Sequence, residues 1–130
     1  MMRLLTILLM LLPFSAKAEG ARMVLDCQVT TRCDATGACE PADQPRQIEL
    51  APQDIDADGV GTYGVSEADQ ESEAQALSRT GPYVWTDATG VRHSLTLTSE
   101  ETAIALSQDF NNGAQTYAAY VLFMNCTVTL

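Results

Sequence analysis

Four cysteines, one histidine and a run of alternating aspartates are the residues of this 130-residue chain with the most chemistry to offer. Cys27, Cys33 and Cys39 lie close together with five residues between neighbours, and Cys126 stands alone near the C-terminus. A structural zinc site would want the shorter C-x-x-C type of spacing. A redox dithiol would want the same motif and a surrounding that lowers a thiol pKa, whereas Asp34 and Glu40 would raise it. The remaining chemistry is disulfide formation, and four cysteines allow three pairings.

Asp54-Ile-Asp56-Ala-Asp58-Gly59 matches the first half of a calcium loop, where oxygens at alternate positions wrap a hard cation and glycine permits the bend. The second half departs from it: Val65 stands where the bidentate glutamate belongs, and Glu67 comes two places late. A weak calcium site on Asp54, Asp56 and Asp58 is one expectation, and a solvated acidic turn is the other. His93 sits between Arg92 and Ser94, with Asp87 nearby. On a strand Ser94 points away from its neighbour His93, so these two cannot form a nucleophile–base pair. No G-x-S-x-G, H-E-x-x-H or P-loop occurs. The paired carboxylates Glu71/Glu73 and Glu100/Glu101 fall in expected turns. The residues therefore predict no enzyme. Tyr83 and Trp85 share one strand face, either as core rings or as a recognition surface.

These residues need elements to hold them, and the chain reads as short strands between turns. Met23 to Thr30 alternates, with Met23, Leu25, Cys27 and Val29 on one face. A loop rich in Asp, Gly, Pro and Cys follows from Thr31 to Pro45, then a strand from Arg46 to Ala51 that Pro52 ends. Val60 to Ser66 is a glycine-weakened strand. Residues 66–79 carry a capping-box pattern, yet their apolar residues are too small for an amphipathic helix, and a hairpin turning near Asp69-Gln70 is the better reading. Strands follow at Tyr83–Trp85, His93–Thr98 and Thr102–Gln108. Asn111-Asn112-Gly113 is a tight-turn signal, and Tyr117 to Leu130 is the last strand. No repeat or low-complexity block appears. The fold class is all-β: an antiparallel meander of about eight strands forming a small or flattened barrel. Closure would set the first strand beside the last, which favours Cys27–Cys126. Asp34-Ala-Thr-Gly37 would turn Cys33 onto Cys39. The Asn125-Cys126-Thr127 sequon is discounted, because Cys126 belongs to a buried strand.

Residues 1–18 carry Arg3, an apolar run from Leu4 to Leu12 and the small-x-small site Ala16-Lys17-Ala18, the pattern of a cleaved secretory signal. The apolar run is too short to span a bilayer. One domain, 19–130, is expected, in the periplasm or secreted, where disulfides persist. Net charge is −10, and loss of Arg3 and Lys17 with the leader leaves five arginines against seventeen acidic residues. Such a chain repels nucleic acid and anionic membrane surfaces. Stable membrane insertion is not expected.

The leader, the LDCQVTTRCDATGAC opening, the GPYVWTD and HSLTLTSE strands and the FMNC ending together resemble a group of small exported cysteine-containing β proteins of α-proteobacteria with no established role. In architecture alone the chain is similar to periplasmic inhibitors of c-type lysozyme. Their SGxxY motif is absent: the nearest stretch is Thr80-Gly81-Pro82-Tyr83, and the mature chain has no lysine for the partner motif. The sequence thus points to a non-catalytic binding protein of the cell envelope, for a protein or small ligand, with a calcium-dependent envelope protein as the alternative.

Overall fold

The chain folds as eight antiparallel strands: β1 (Met23–Asp34), β2 (Cys39–Ile55), β3 (Gly61–Glu67), β4 (Gln70–Ala76), β5 (Tyr83–Thr86), β6 (Val91–Leu97), β7 (Thr102–Asp109) and β8 (Ala118–Thr129). Each strand pairs with the next, and β8 returns to β1, closing a barrel in meander order. The computed structural model describes residues 20–110 and 118–130, with no helix among them. The leader, the Asn111-Asn112-Gly113 turn and Tyr117 lie outside the described residues.

Closure brings Cys27 opposite Cys126 across β1 and β8, and the two are bonded. Cys33 and Cys39 are partners across the β1–β2 hairpin and are also bonded.

The segment 31–45, expected as a loop, is instead largely strand: β1 runs on to Asp34 and β2 begins at Cys39. Three prolines in β2 argue against this in the sequence, and the register explains how they are tolerated. β3 pairs with β2 only from Ile48 onward, so Pro41 and Pro45 occupy a stretch partnered on one side. There a missing N–H breaks no ladder. Pro52 sits beside the register shift between Pro52 and Asp54, where pairing is already interrupted. The ambiguous segment is a hairpin, with Glu67 paired to Gln70 and Ala68-Asp69 between them.

The interior is filled unevenly. Leu25, Val29, Ile48, Leu50, Leu95 and Tyr83 are fully buried. Each aliphatic among them contributes about 1.5–3 kcal/mol by leaving water. The Tyr63 and Tyr83 rings meet edge to face, 5.0 Å apart. Small residues opposite make the room: Ala74, Ala76, Ala103 and Ala105 all point inward. Ile104 and Leu106, which mark β7 in the sequence, point outward and pair with Phe123 and Val121 of β8. The inner rung had no volume left for them.

Three hairpins turn in the same way. Asp34, Asp56 and Asp87 each open a D-A-x-G turn, with glycines at φ 85°, 78° and 88°. In each, the glycine N–H donates to the aspartate carbonyl, and the aspartate N–H donates to the carbonyl of the residue after the glycine. One carboxylate oxygen then accepts the N–H groups of the residues two and four positions on. Gly59 is required twice over, because a Cβ there would also lie 2.4 Å from Arg79.

Candidate functional site

The turns β1–β2, β3–β4 and β5–β6 lie at one end of the barrel, and the inward-facing rung nearest that end is polar. The register runs Tyr120 (β8) to Ser107 (β7) to His93 (β6) to Trp85 (β5). One rung deeper the same strands carry Leu122, Ala105, Leu95 and Tyr83. A single step of two residues along each strand therefore separates apolar core from a hydrogen-bonding layer.

His93 anchors that layer. Its ring stacks on Trp85 with centroids 5.2 Å apart and planes 26° from parallel. Nε2 lies 2.8 Å from Asp87 Oδ2, and Nδ1 lies 3.0 Å from Ser107 Oγ. With the carboxylate ionised, Nε2–H donates to Asp87, and in the neutral ring Nδ1 accepts the Ser107 hydroxyl. Burial of the Asp87 carboxyl would raise its pKa, but hydrogen bonds outweigh this. Donors from His93, the Thr89 hydroxyl and the Thr89 and Val91 N–H groups hold it at about 2. Three further charged side chains sit nearby. Arg46 grips Glu67 through two parallel bonds of 2.6 and 2.7 Å, with the arginine side chain only 12% exposed. The Arg32 guanidinium covers the Tyr120 ring at 3.8 Å.

Beside this layer the barrel wall is open. β4 pairs with β3 along its whole length, Gln70 to Ala76. With β5 it pairs only at Gln75–Val84 and Ala76–Tyr83, joined by the bond from Leu77 N–H to the Pro82 carbonyl. No pair is registered above these, so β4 and β5 part towards the mouth. The slit between them leads to a cavity of about 330 Å³ lined by Arg46, Glu67, Ser72, Trp85, Asp87 and His93, among others. Ala68, at its rim, is the one non-glycine residue with positive φ among the described residues, at 51°.

Two other concavities differ in kind. One of about 790 Å³ runs over the outer wall between solvated side chains such as Asp26, Gln28 and Gln47. Another, of about 820 Å³, lies at the far end among Met23, Leu97, Val128 and Leu130. Neither gathers convergent polar groups and a perturbed carboxylate beside an aromatic, the combination that marks a binding site.

Of the residues singled out in the sequence, Tyr83 is fully buried and Trp85 is 6% exposed. Trp85 lines the cavity; Tyr83 lies a rung below it. Ser94 faces away from His93, opposite Val84. The serine that meets His93 is Ser107 on the neighbouring strand, invisible without the register. Arg46 and Glu67 were equally invisible, being twenty-one residues apart. The aspartates of the calcium reading are not drawn together: Asp54 lies in β2, opposite Thr62, and Asp56 caps its own turn. No group of three metal-ligating side chains occurs among the described residues.

Fold and site thus define a small, closed, disulfide-bridged antiparallel barrel whose β4–β5 ladder is short. Comparison of the chain with family models, curated proteins and solved structures found no match.

Proposed function

We propose that the protein is a small exported, acidic, non-catalytic binding module that holds its partner at the slit between β4 and β5. The observation that carries this is the slit itself. The β4–β5 ladder stops where Trp85, the His93–Asp87 pair and the Arg46–Glu67 pair line a cavity. A half-buried ion pair and a fixed imidazole add little to packing, whereas a mouth of prearranged polar groups beside an aromatic suits recognition. Export is supported by the leader pattern and by two disulfides.

Ser107, His93 and Asp87 do form a serine–histidine–aspartate chain of hydrogen bonds. Acyl transfer would also need a cavity at the serine and donors for the oxyanion. Ser107 does not line the slit cavity. In this reading it orients His93 rather than attacking a substrate.

Ser72 points into the cavity from β4, half-buried and beside Val65 and Trp85, so Ser72→Trp fills the cavity. Envelope extract passed over immobilised wild type should yield a partner that Ser72→Trp, folded to the same melting temperature, no longer retains. Retention of the same set by both proteins overturns the reading. So does labelling of Ser107 by a serine-directed fluorophosphonate.

A further inference from the structure

We infer that the mouth cavity binds one neutral sugar ring, held by the Arg46–Glu67 pair, Ser72 and Gln70 beside Trp85. This rests on the binding-module reading above and names the class of ligand.

Hydrogen bonding supplies the first part of the argument. On the β5–β6 side of the cavity the polar groups are spent on one another. Both ring nitrogens of His93 are engaged, by Asp87 and by Ser107, and Asp87 also accepts from Thr89 and Val91. On the side of β2, β3 and β4 they are not. Arg46 gives Nε and one Nη to Glu67. Its other Nη, with two N–H groups, has no partner among the described residues. The Ser72 hydroxyl and the Gln70 amide have none there either. No unpartnered side-chain nitrogen or oxygen among the described residues is sealed from solvent, so a ligand can reach these groups. Arg46, Gln70 and Ser72 all line the same cavity, and the Arg46 side chain is otherwise well covered.

Charge and size supply the second part. Arg46 is matched by Glu67, and Asp87 by His93. An anion entering the cavity would meet two carboxylates and could take Arg46 fully only by displacing Glu67. A cation would lie against the Arg46 guanidinium. A neutral ligand avoids both costs. Neighbouring hydroxyls on a ring are the neutral chemistry that fits, because each hydroxyl both donates and accepts. The Arg46–Glu67 pair sets unused donors beside unused acceptors, since a carboxylate that has taken two bonds keeps further lone pairs. Two adjacent hydroxyls can therefore accept from Arg46 and donate to Glu67 without breaking the pair. Ser72 and Gln70 add groups of both kinds. Trp85 and Val65 give an apolar wall, against which the C–H bonds of a sugar ring pack. A volume of about 330 Å³ is at the low end for a ligand cavity. That suits a single ring rather than a cofactor.

The test uses glucose, galactose, mannose and N-acetylglucosamine as neutral probes, with glucuronate and glucosamine as the ring-matched anion and cation at mildly acidic pH. Binding to the folded protein is read by calorimetry and by the emission of Trp85, the only tryptophan. At least one neutral sugar is expected to bind at millimolar concentration and to perturb Trp85, at least tenfold more tightly than either charged ring. Ser72→Trp should abolish that binding, and Ser72→Ala, the milder change, should weaken it several-fold. Glu67→Gln frees Arg46 from its carboxylate and should shift the preference towards glucuronate. A trisaccharide that binds more tightly than its own monosaccharide assigns the ring to the end of a glycan, and equal affinity assigns the free sugar. Glucuronate or glucosamine binding the wild type as tightly as any neutral sugar overturns the inference. So does sugar binding that Ser72→Trp and Ser72→Ala leave unchanged. If no sugar binds while the envelope partner still requires an open Ser72 cavity, the sugar assignment falls and the binding module stands. If the extract yields no such partner either, both fall.

Discussion

At the scale of single residues, two positions at the mouth carry measurable consequences. Ala68 is the first of the two residues joining β3 to β4, and its φ of 51° is a conformation that a side chain disfavours. Two-residue hairpins with a positive φ at that position use glycine there. Ala68→Gly should therefore raise unfolding stability by about 1 kcal/mol, despite the entropy that glycine adds to the unfolded chain. A urea titration showing no gain would mean that the turn relaxes differently. Asp87 belongs to the same mouth. Its folded carboxyl titrates at about 2, below the roughly 3.9 of an unfolded aspartate. The stabilisation it provides is complete above about pH 4 and is lost as pH falls towards 2. Asp87→Asn should be less stable than wild type at pH 7, and its stability should fall less steeply between pH 4 and 2. Parallel curves for the two proteins across that window would show that the bonds to His93, Thr89 and Val91 do not hold the carboxylate ionised.

At the scale of elements, the recurring D-A-x-G turn separates two roles within the acidic stretch. Asp56 caps its turn through the N–H groups of Asp58 and Val60, just as Asp34 and Asp87 cap theirs. Asp58 occupies the position held by Thr36 and Thr89 in the other two. Asp56→Ala should cost about 1 kcal/mol through the lost caps. Asp58→Thr should stay within about 0.5 kcal/mol of wild type, as a surface change away from such features. Melting curves of both variants, with and without millimolar calcium, check this. An equal loss in the two variants would show that the aspartates act as a pair. The turn recurs in the sequence as DATG, DADG and DATG, a signal legible in hindsight once the hydrogen bonds are known. The strands around it were mostly legible from alternation. Of β2 only Arg46 to Ala51 was, because prolines are read as breakers until an unpartnered edge is seen.

At the scale of the whole molecule, closure rests on the meeting of first and last strands. The Cys27–Cys126 bond spans 99 residues and the Cys33–Cys39 bond spans 6. In the chain-entropy picture these constrain the unfolded chain by about 4–5 and about 2 kcal/mol respectively. A domain of this size has roughly 5–15 kcal/mol in total. Paired Cys→Ala substitution at 27 and 126 should therefore cost distinctly more than at 33 and 39, measured by denaturant unfolding. An equal or inverted order would mean that native β1–β8 packing, or residual unfolded structure, outweighs the loop term.

By itself the sequence pointed to the all-β class, about eight strands, the face on which Cys27 lies and the turn that joins Cys33 to Cys39, whereas Cys27–Cys126 was favoured only through the expected closure of the barrel. The first four follow from a local period of two or from a turn residue, and local patterns survive without knowledge of neighbours. Only the tertiary structure decided which serine meets His93, which carboxylate holds Arg46, and that β4 and β5 part. Those depend on strand register and on where a ladder stops, and both are set by side chains on strands distant in the chain. Ile104 and Leu106 show the same limit. Their apolarity marks a strand, but the bulk of Tyr63, Tyr83 and Trp85 across the barrel decides that alanines go in and the larger residues go out.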